Sequence, residues 1–229
     1  MTRAPRRPTA AAASPASPGK VRIIGGRWRG TRLDVPDVAG LRPTSDRVRE
    51  TLFNWLMPML PGARVLDLFA GSGALGLEAV SRGAAAAVLV ERDPALAAAL
   101  RVTAARLPGG EAATVAQADA QAWLGSQPEG GFDLAFLDPP FAAGLWEAVL
   151  PGVARLVKPD GWLYVEAPHE AAFSLPAQWR LHREGGTREV RYALYRRVPD
   201  AAAPAGRAPG SATDTLPAAP ASPDSGAHA

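Results

Sequence analysis

Apolar and polar positions along this 229-residue chain follow two periods. Short continuous apolar runs, the mark of strands buried on both faces, alternate with stretches of helical period. The runs predict strands at Arg64–Phe69, Ala86–Glu91, Thr114–Asp119, Phe132–Asp138 and Trp162–Ala167, with helices starting near Ala74, Pro94, Ala120 and Gly144. Such an alternation implies a parallel sheet with helices on both faces. Beyond it, Trp179–Glu184 and Arg188–Arg196 flank Gly185-Gly186-Thr187, and the period-two positions Val190, Tyr192 and Leu194 predict a closing antiparallel hairpin. Upstream, Val21–Ile24 and Trp28–Val35 on either side of Gly25-Gly26 read as a small β-hairpin. A helix with Val48, Leu52, Trp55 and Leu56 on one side follows Thr44 or Ser45 and is stopped by Pro58 and Pro61. The expected fold is α/β and Rossmann-like. Its sheet is mostly parallel and seven-stranded, with a C-terminal antiparallel hairpin and a small N-terminal β-hairpin and helix.

Composition sets the boundaries. Residues 1–19 and 199–229 are rich in Pro, Ala, Ser and Gly with few large apolar side chains, so both are expected to be disordered tails. Between them lie a small extension, residues 20–60, and the main domain, residues 61–198. The longest apolar stretch, Ala84–Val90, is far short of the roughly 20 residues that span a bilayer. No apolar segment follows the N-terminal arginines, so no secretory signal is expected. With no cysteine, thiolate metal sites, disulfides and cysteine nucleophiles are excluded. A cytoplasmic monomer without metal or membrane contact is the expectation. The basic pI of about 9.8 raises the prospect of a nucleic-acid partner, although the net charge is only +3.

The chemistry is concentrated at strand ends. Gly71, Gly73 and Gly76 form a Gly-x-Gly-x-x-Gly after the first strand, which suits either a dinucleotide or S-adenosylmethionine. Asp67 separates the two. A carboxylate at the strand tip opposes a pyrophosphate but favours a sulfonium and an ammonium. Phe69, Ser72 and Arg92 accompany these residues. Glu91 can accept two ribose hydroxyls or be a solvated strand end. Asp119, followed by Ala120, can accept from an adenine amine or cap the next helix.

Asp138-Pro139-Pro140-Phe141 is the most specific stretch. Two prolines remove two N–H donors and fix the turn. What remains is an acceptor pair, the Asp138 carboxylate and the Pro139 carbonyl, beside the Phe141 ring. That arrangement fits the exocyclic amine of a nucleobase. Two acceptors engage both amine hydrogens and localise the nitrogen lone pair, while the ring stacks on the base. His169 and His182 have no partner acid placed by a motif and are expected to be surface or strand histidines.

These motifs resemble a known family. Asp-Pro-Pro-aromatic after the fourth strand is similar to the amino-group methyltransferases of the class I fold. More narrowly, four blocks resemble the bacterial RsmD-type enzymes, which methylate N2 of a guanine in small-subunit (16S) ribosomal RNA. They are Arg22–Gly30, Leu41–Leu56, Asp67–Ala79 and Asp138–Phe141. The resemblance covers about residues 21–197. It implies that Asp67, the glycine loop, Glu91 and Asp119 hold S-adenosylmethionine, that Asp138–Phe141 hold the guanine, and that the partner is rRNA or a partly assembled 30S subunit. Adenine-N6 or cytosine-N4 methylation of DNA or another RNA is the nearest alternative. A nicotinamide-dependent (NAD(P)) oxidoreductase on the same sheet is the alternative of another class.

Between Lys20 and Glu50, eight basic residues face four acidic ones. Arg22, Arg27, Trp28 and Arg29 are the expected RNA contacts, with guanidiniums on phosphates and the indole as a stacking platform. Arg42 and Thr44 could reach either the methionine carboxylate or the RNA.

Overall fold

The computed structural model describes residues 20–34, 45–141 and 144–198. The expected tails, and Arg42 and Thr44, lie outside the described residues. A two-stranded antiparallel ribbon, β1 (Lys20–Arg22) and β2 (Arg32–Asp34), leads into helix α1 (Asp46–Leu56). The chain then runs β3 (Arg64–Asp67), α2 (Ala74–Ser81), β4 (Ala86–Glu91), α3 (Pro94–Arg106), β5 (Ala113–Gln117), α4 (Ala120–Gly125), β6 (Phe132–Leu137), α5 (Trp146–Leu156) and β7 (Val157–Pro168). It ends in the hairpin β8 (Trp179–Gly186) and β9 (Val190–Arg197).

These strands form a seven-stranded sheet in the order β5-β4-β3-β6-β7-β9-β8. β3 to β7 are parallel, while β9 inserts antiparallel between β7 and β8. The chain starts at β3, works outward to β5, and returns to the other side of β3. That reversal opens a crevice at the carboxyl ends of the central strands, where open α/β sheets bind ligands.

Two apolar layers cover the sheet. On one face Leu52, Phe53 and Leu56 of α1 and Leu75, Leu77 and Val80 of α2 pack on Val65, Leu134, Phe136 and Tyr164. On the other, Leu124 of α4 and Val149, Leu150 and Val153 of α5 pack on Leu66, Ala135, Leu137, Leu163 and Val165. The central strands β3 and β6 are apolar on both sides because both sides are covered.

The upstream segment differs from its sequence expectation. Residues Gly26–Trp28 form a 3-10 turn, so Trp28 lies outside the strand expected to begin there; β2 begins at Arg32, next to backbone hydrogen bonds that join Ile23 to Gly30 and Thr31. The turn is shaped by its docking on α2. Ser81 accepts the Trp28 N–H through Oγ (2.9 Å) and donates to the Gly25 carbonyl (2.6 Å). Glu78, fully buried, accepts the N–H groups of Ile24 (2.7 Å) and Gly25 (2.8 Å) and pairs with Arg82 (2.7 Å). Arg49 of α1, also fully buried, lies 3.5 Å from Glu78 and donates to the Arg22 carbonyl (2.9 Å) and to Asp46 (2.6 Å). One buried ion pair thus ties the ribbon, α1 and α2 together. Removing one partner of such a pair strands the other charge in the core. Glu78→Ala is therefore expected to cost about 3–5 kcal/mol. Urea unfolding measures this, and an unchanged midpoint would show that the network contributes no stability.

Candidate active site

A cleft of about 1110 Å³ opens at the carboxyl edge of the sheet. Its floor is the β3–α2 turn. Gly73 adopts a left-handed φ of 75°, and its N–H donates to the Ala70 carbonyl (2.6 Å), which turns the chain back into α2. A side chain at Gly76 would press on Leu89 and on Asp67 Cβ at 3.1–3.2 Å, so the third glycine lets α2 lie close on β3 and β4.

Four of the predicted acids meet here, each on a different strand end. Asp67 is 2% exposed, and its Oδ2 accepts the Gly76 N–H at 2.9 Å. Burial pushes its carboxyl up to about 7, helped by the negative charge of Glu91 and opposed by the Gly76 hydrogen bond. Glu91 clasps the loop: its Oε2 accepts the Gly71 N–H (2.9 Å) and its Oε1 the Asp93 N–H (2.7 Å). Asp119 caps α4 through one oxygen, with Oδ1 accepting from Gln121 (3.0 Å) and Ala122 (3.2 Å). Its Oδ2 takes no part in the cap. Asp138 follows β6 and lines the cleft with Pro139, Pro140 and Phe141. The Phe141 ring is backed by Trp146, whose centroid lies 6.2 Å away.

Phe69, Gly71, Ser72, Arg92 and Ala120 also line the cleft, whereas Gly73 shapes the turn behind it. The basic upstream residues are placed differently. Trp28 is only 4% exposed, with its indole N–H donating to the Pro108 carbonyl at 3.0 Å. It is a core residue, with no face to offer a base. Arg27 donates to the Gly109 carbonyl (3.2 Å) beside that indole. Both sit against the loop after α3, and Trp28 also against Ser81, at the opposite end of α2 from the cleft. Arg22 is exposed and pairs with Asp46 at 3.6 Å, and Arg29 is exposed beside a small pocket with Asp46 and Glu50. None of these four lines the cleft.

Sequence reasoning missed several wall residues. Ser45 and Val48 bring the start of α1 to the cleft, and the β8–β9 turn contributes Thr187, Arg188 and Glu189. Glu166, 5% exposed near the end of β7, also lines it. The available signal was the one that flagged Asp67 and Glu91: an acid closing an apolar run, here Leu163-Tyr164-Val165-Glu166.

A sequence profile for the family described as Conserved hypothetical protein 95 matches residues 21–196. "Ribosomal RNA small subunit methyltransferase D" of Escherichia coli (strain K12) is 48% identical over 186 residues, which cover 78% of this chain and 91% of that protein. The chain belongs to this methyltransferase family. The solved structure of yhhF from Escherichia coli superposes with a TM-score of 0.71 at 46% identity, covering 79% of the present methyltransferase and 99% of that chain. A Salinibacter ruber RNA methyltransferase, solved with S-adenosyl-L-homocysteine, shares the fold at 15% identity and a TM-score of 0.54, over 69% and 94% of the two chains. Among the described residues, no helix is long and apolar enough to cross a membrane, and no cluster of His, Cys, Asp or Glu is arranged to hold a metal ion.

The raised Asp67 carboxyl gives the methyltransferase a defined pH response. The folded state binds this proton more tightly than the unfolded chain, whose aspartates titrate near 3.9. Its contribution therefore favours folding below about pH 4 and is lost progressively as pH rises to about 7. In Asp67→Asn that part of the pH dependence should vanish. Urea midpoints at pH 5 and pH 8 measure it, and equal pH slopes in the two proteins would refute the assignment.

Proposed function

We propose that this methyltransferase transfers the methyl group of S-adenosylmethionine to N2 of a guanine in small-subunit (16S) ribosomal RNA. The observation that carries the reading is the placement of Asp138-Pro139-Pro140-Phe141 in the same cleft as Asp67, Glu91 and Asp119.

The residues present suit that cofactor. Asp67 and the glycine loop would face its cationic portion, Glu91 its ribose hydroxyls, and Asp119 Oδ2 its adenine amine. Phe69, Ser72, Arg92 and Ala120 complete that wall. Bound there, the cofactor supplies a methyl group activated by a sulfonium leaving group.

The chain's own part is to make a poor nucleophile competent. The exocyclic amine of guanine has two N–H donors and a lone pair delocalised into the ring. Asp138 and the Pro139 carbonyl accept both hydrogens, which favours a more tetrahedral nitrogen and aims its lone pair. Phe141, held from behind by Trp146, stacks on the base. The amine nitrogen gains the methyl group and gives up one proton, for which Asp138 is the nearest acceptor. Orientation and fixed dipoles supply the remaining acceleration.

The RNA partner is read from the family and from the basic surface. The cleft is lined by Arg92, on the cofactor side, and Arg188, in the β8–β9 turn, and Arg47 adjoins the wall residue Val48; all three are exposed. Arg188 and Arg47 are better placed to hold phosphates beside a flipped base than Arg27. A cytoplasmic location, where ribosomal subunits are assembled, accords with this partner.

The test is methyl transfer to small ribosomal subunits, followed by digestion and mass spectrometry of the nucleosides. One N2-methylguanosine per subunit is expected, whereas methyladenosine or methylcytidine would overturn the base assignment. Asp138→Ala should lower kcat by about a hundredfold or more while S-adenosylmethionine affinity, read by calorimetry, stays unchanged. Full activity in that variant would refute the acceptor role.

A further inference from the structure

The β6–β7 register brings a second carboxylate beside Asp138. Phe136 pairs with Tyr164 and Leu137 with Val165, and the same register carried one residue past the end of β6 sets Asp138 beside Glu166, on the face of the sheet that holds Tyr164. Both line the cleft, and Glu166 is almost entirely buried. The Tyr164 hydroxyl, on that same face, donates to Glu166 Oε2 at 2.8 Å. Burial raises the Tyr164 phenol well above its ordinary range, and the charges of Glu166 and Asp138 push it further, so both carboxylates lie within electrostatic reach of one phenol. The strand end is fixed from the other side as well. Trp146, which backs Phe141, donates its indole N–H to the Glu166 carbonyl at 3.0 Å. The aromatic wall and this carboxylate are therefore positioned by the same side chain.

A buried carboxylate one strand away from the amine-binding pair has a chemical consequence. In guanine the ring nitrogen that neighbours the amine on the base-pairing edge is N1, which carries a proton and donates. In adenine and cytosine the corresponding ring nitrogen is an acceptor. A carboxylate at that position attracts the first and repels the other two, and flipped bases are read along this edge. We infer that Glu166 accepts the guanine N1–H and so selects guanine over the other amino-bearing bases, while Asp138 and Pro139 engage the N2 amine. The inference rests on the proposed guanine-N2 activity and adds to it the residue that reads base identity. Glu166 takes no proton in this scheme. Its hydrogen bond holds the ring and, by drawing on N1–H, increases electron density at N2.

The test uses 2-aminopurine, which keeps the amine on C2 but has an unprotonated N1. Small subunits are assembled with 16S RNA carrying guanine or 2-aminopurine at the methylated nucleotide, and methyl transfer to each is compared. The native protein should prefer guanine by about ten- to a hundredfold, the range for one hydrogen bond to a charged group. Glu166→Gln, whose amide can donate to the bare N1, should shrink that preference toward unity with its melting temperature and S-adenosylmethionine affinity unchanged. Tyr164→Phe keeps the ring but releases Glu166 Oε2, and should lower the preference partway. It serves as the second readout if Glu166→Gln is inactive or unfolded. A native protein indifferent to the two bases, or a preference unaltered in both variants, overturns the assignment of Glu166. If guanine subunits gain no N2-methylguanosine from the native protein, the parent reading has failed instead.

Discussion

Carboxylates placed side by side in a buried cleft repel one another, and each must be given a proton, a hydrogen-bond donor or a cation. Five strands of this sheet bring an acid to one edge: Asp67, Glu91, Asp119, Asp138 and Glu166. The fold supplies donors of its own. Glu91 has two backbone amides, Asp119 two cap amides and Glu166 a phenol, while Asp67 has one amide and a raised affinity for a proton. The cleft remains rich in acceptors, and its complement is a ligand that brings positive charge and N–H donors. A sulfonium cofactor beside an amino-bearing base is such a complement. The order of strands, the glycine turn and the two prolines all serve to hold these acids in place.

The upstream segment contributes in a different way from the one its composition suggested. Its arginine content reads as a phosphate grip, yet Arg49 is spent in the core against Glu78, and Arg27 leans on a carbonyl far from the cleft. Its described contacts are structural, while Arg22 and Arg29 stay exposed. The Glu78–Arg49 pair anchors α1 to α2, and α1 then presents Ser45 and Val48 as a wall of the cleft. The edge hairpin closes another side with its Thr187–Glu189 turn.

Most of the sheet was legible because strands buried on both faces leave apolar runs whose ends are easy to locate. Asp67, Glu91, Asp119 and Asp138 were singled out as acids at the ends of such runs, with the glycine loop and the Asp-Pro-Pro-Phe motif marking the first and the last. Glu166 obeys the same rule and was still missed, because its importance depends on register against β6, a cross-strand relation with no local motif. Trp28 was misjudged for the opposite reason. An indole among arginines looks the same in sequence whether it faces solvent or docks on a helix end, and only Ser81 and Pro108, distant in the chain, decide it. The short β2 has the same origin, since docking on α2 extends the expected Gly25-Gly26 turn through Trp28, where strand was expected to begin.

The central claim is geometric: one cleft holds a methyl donor and an amine trap in contact. A crystal structure with S-adenosylhomocysteine bound tests it most directly. The account predicts the ribose on Glu91, the adenine beside Asp119, and the sulfur facing the Asp138–Pro139 acceptors across a gap that an attacking nitrogen and a methyl group would fill, with reacting atoms about 3–3.5 Å apart. A ligand seated elsewhere, or an Asp138 carboxylate turned away from the sulfur, would contradict it.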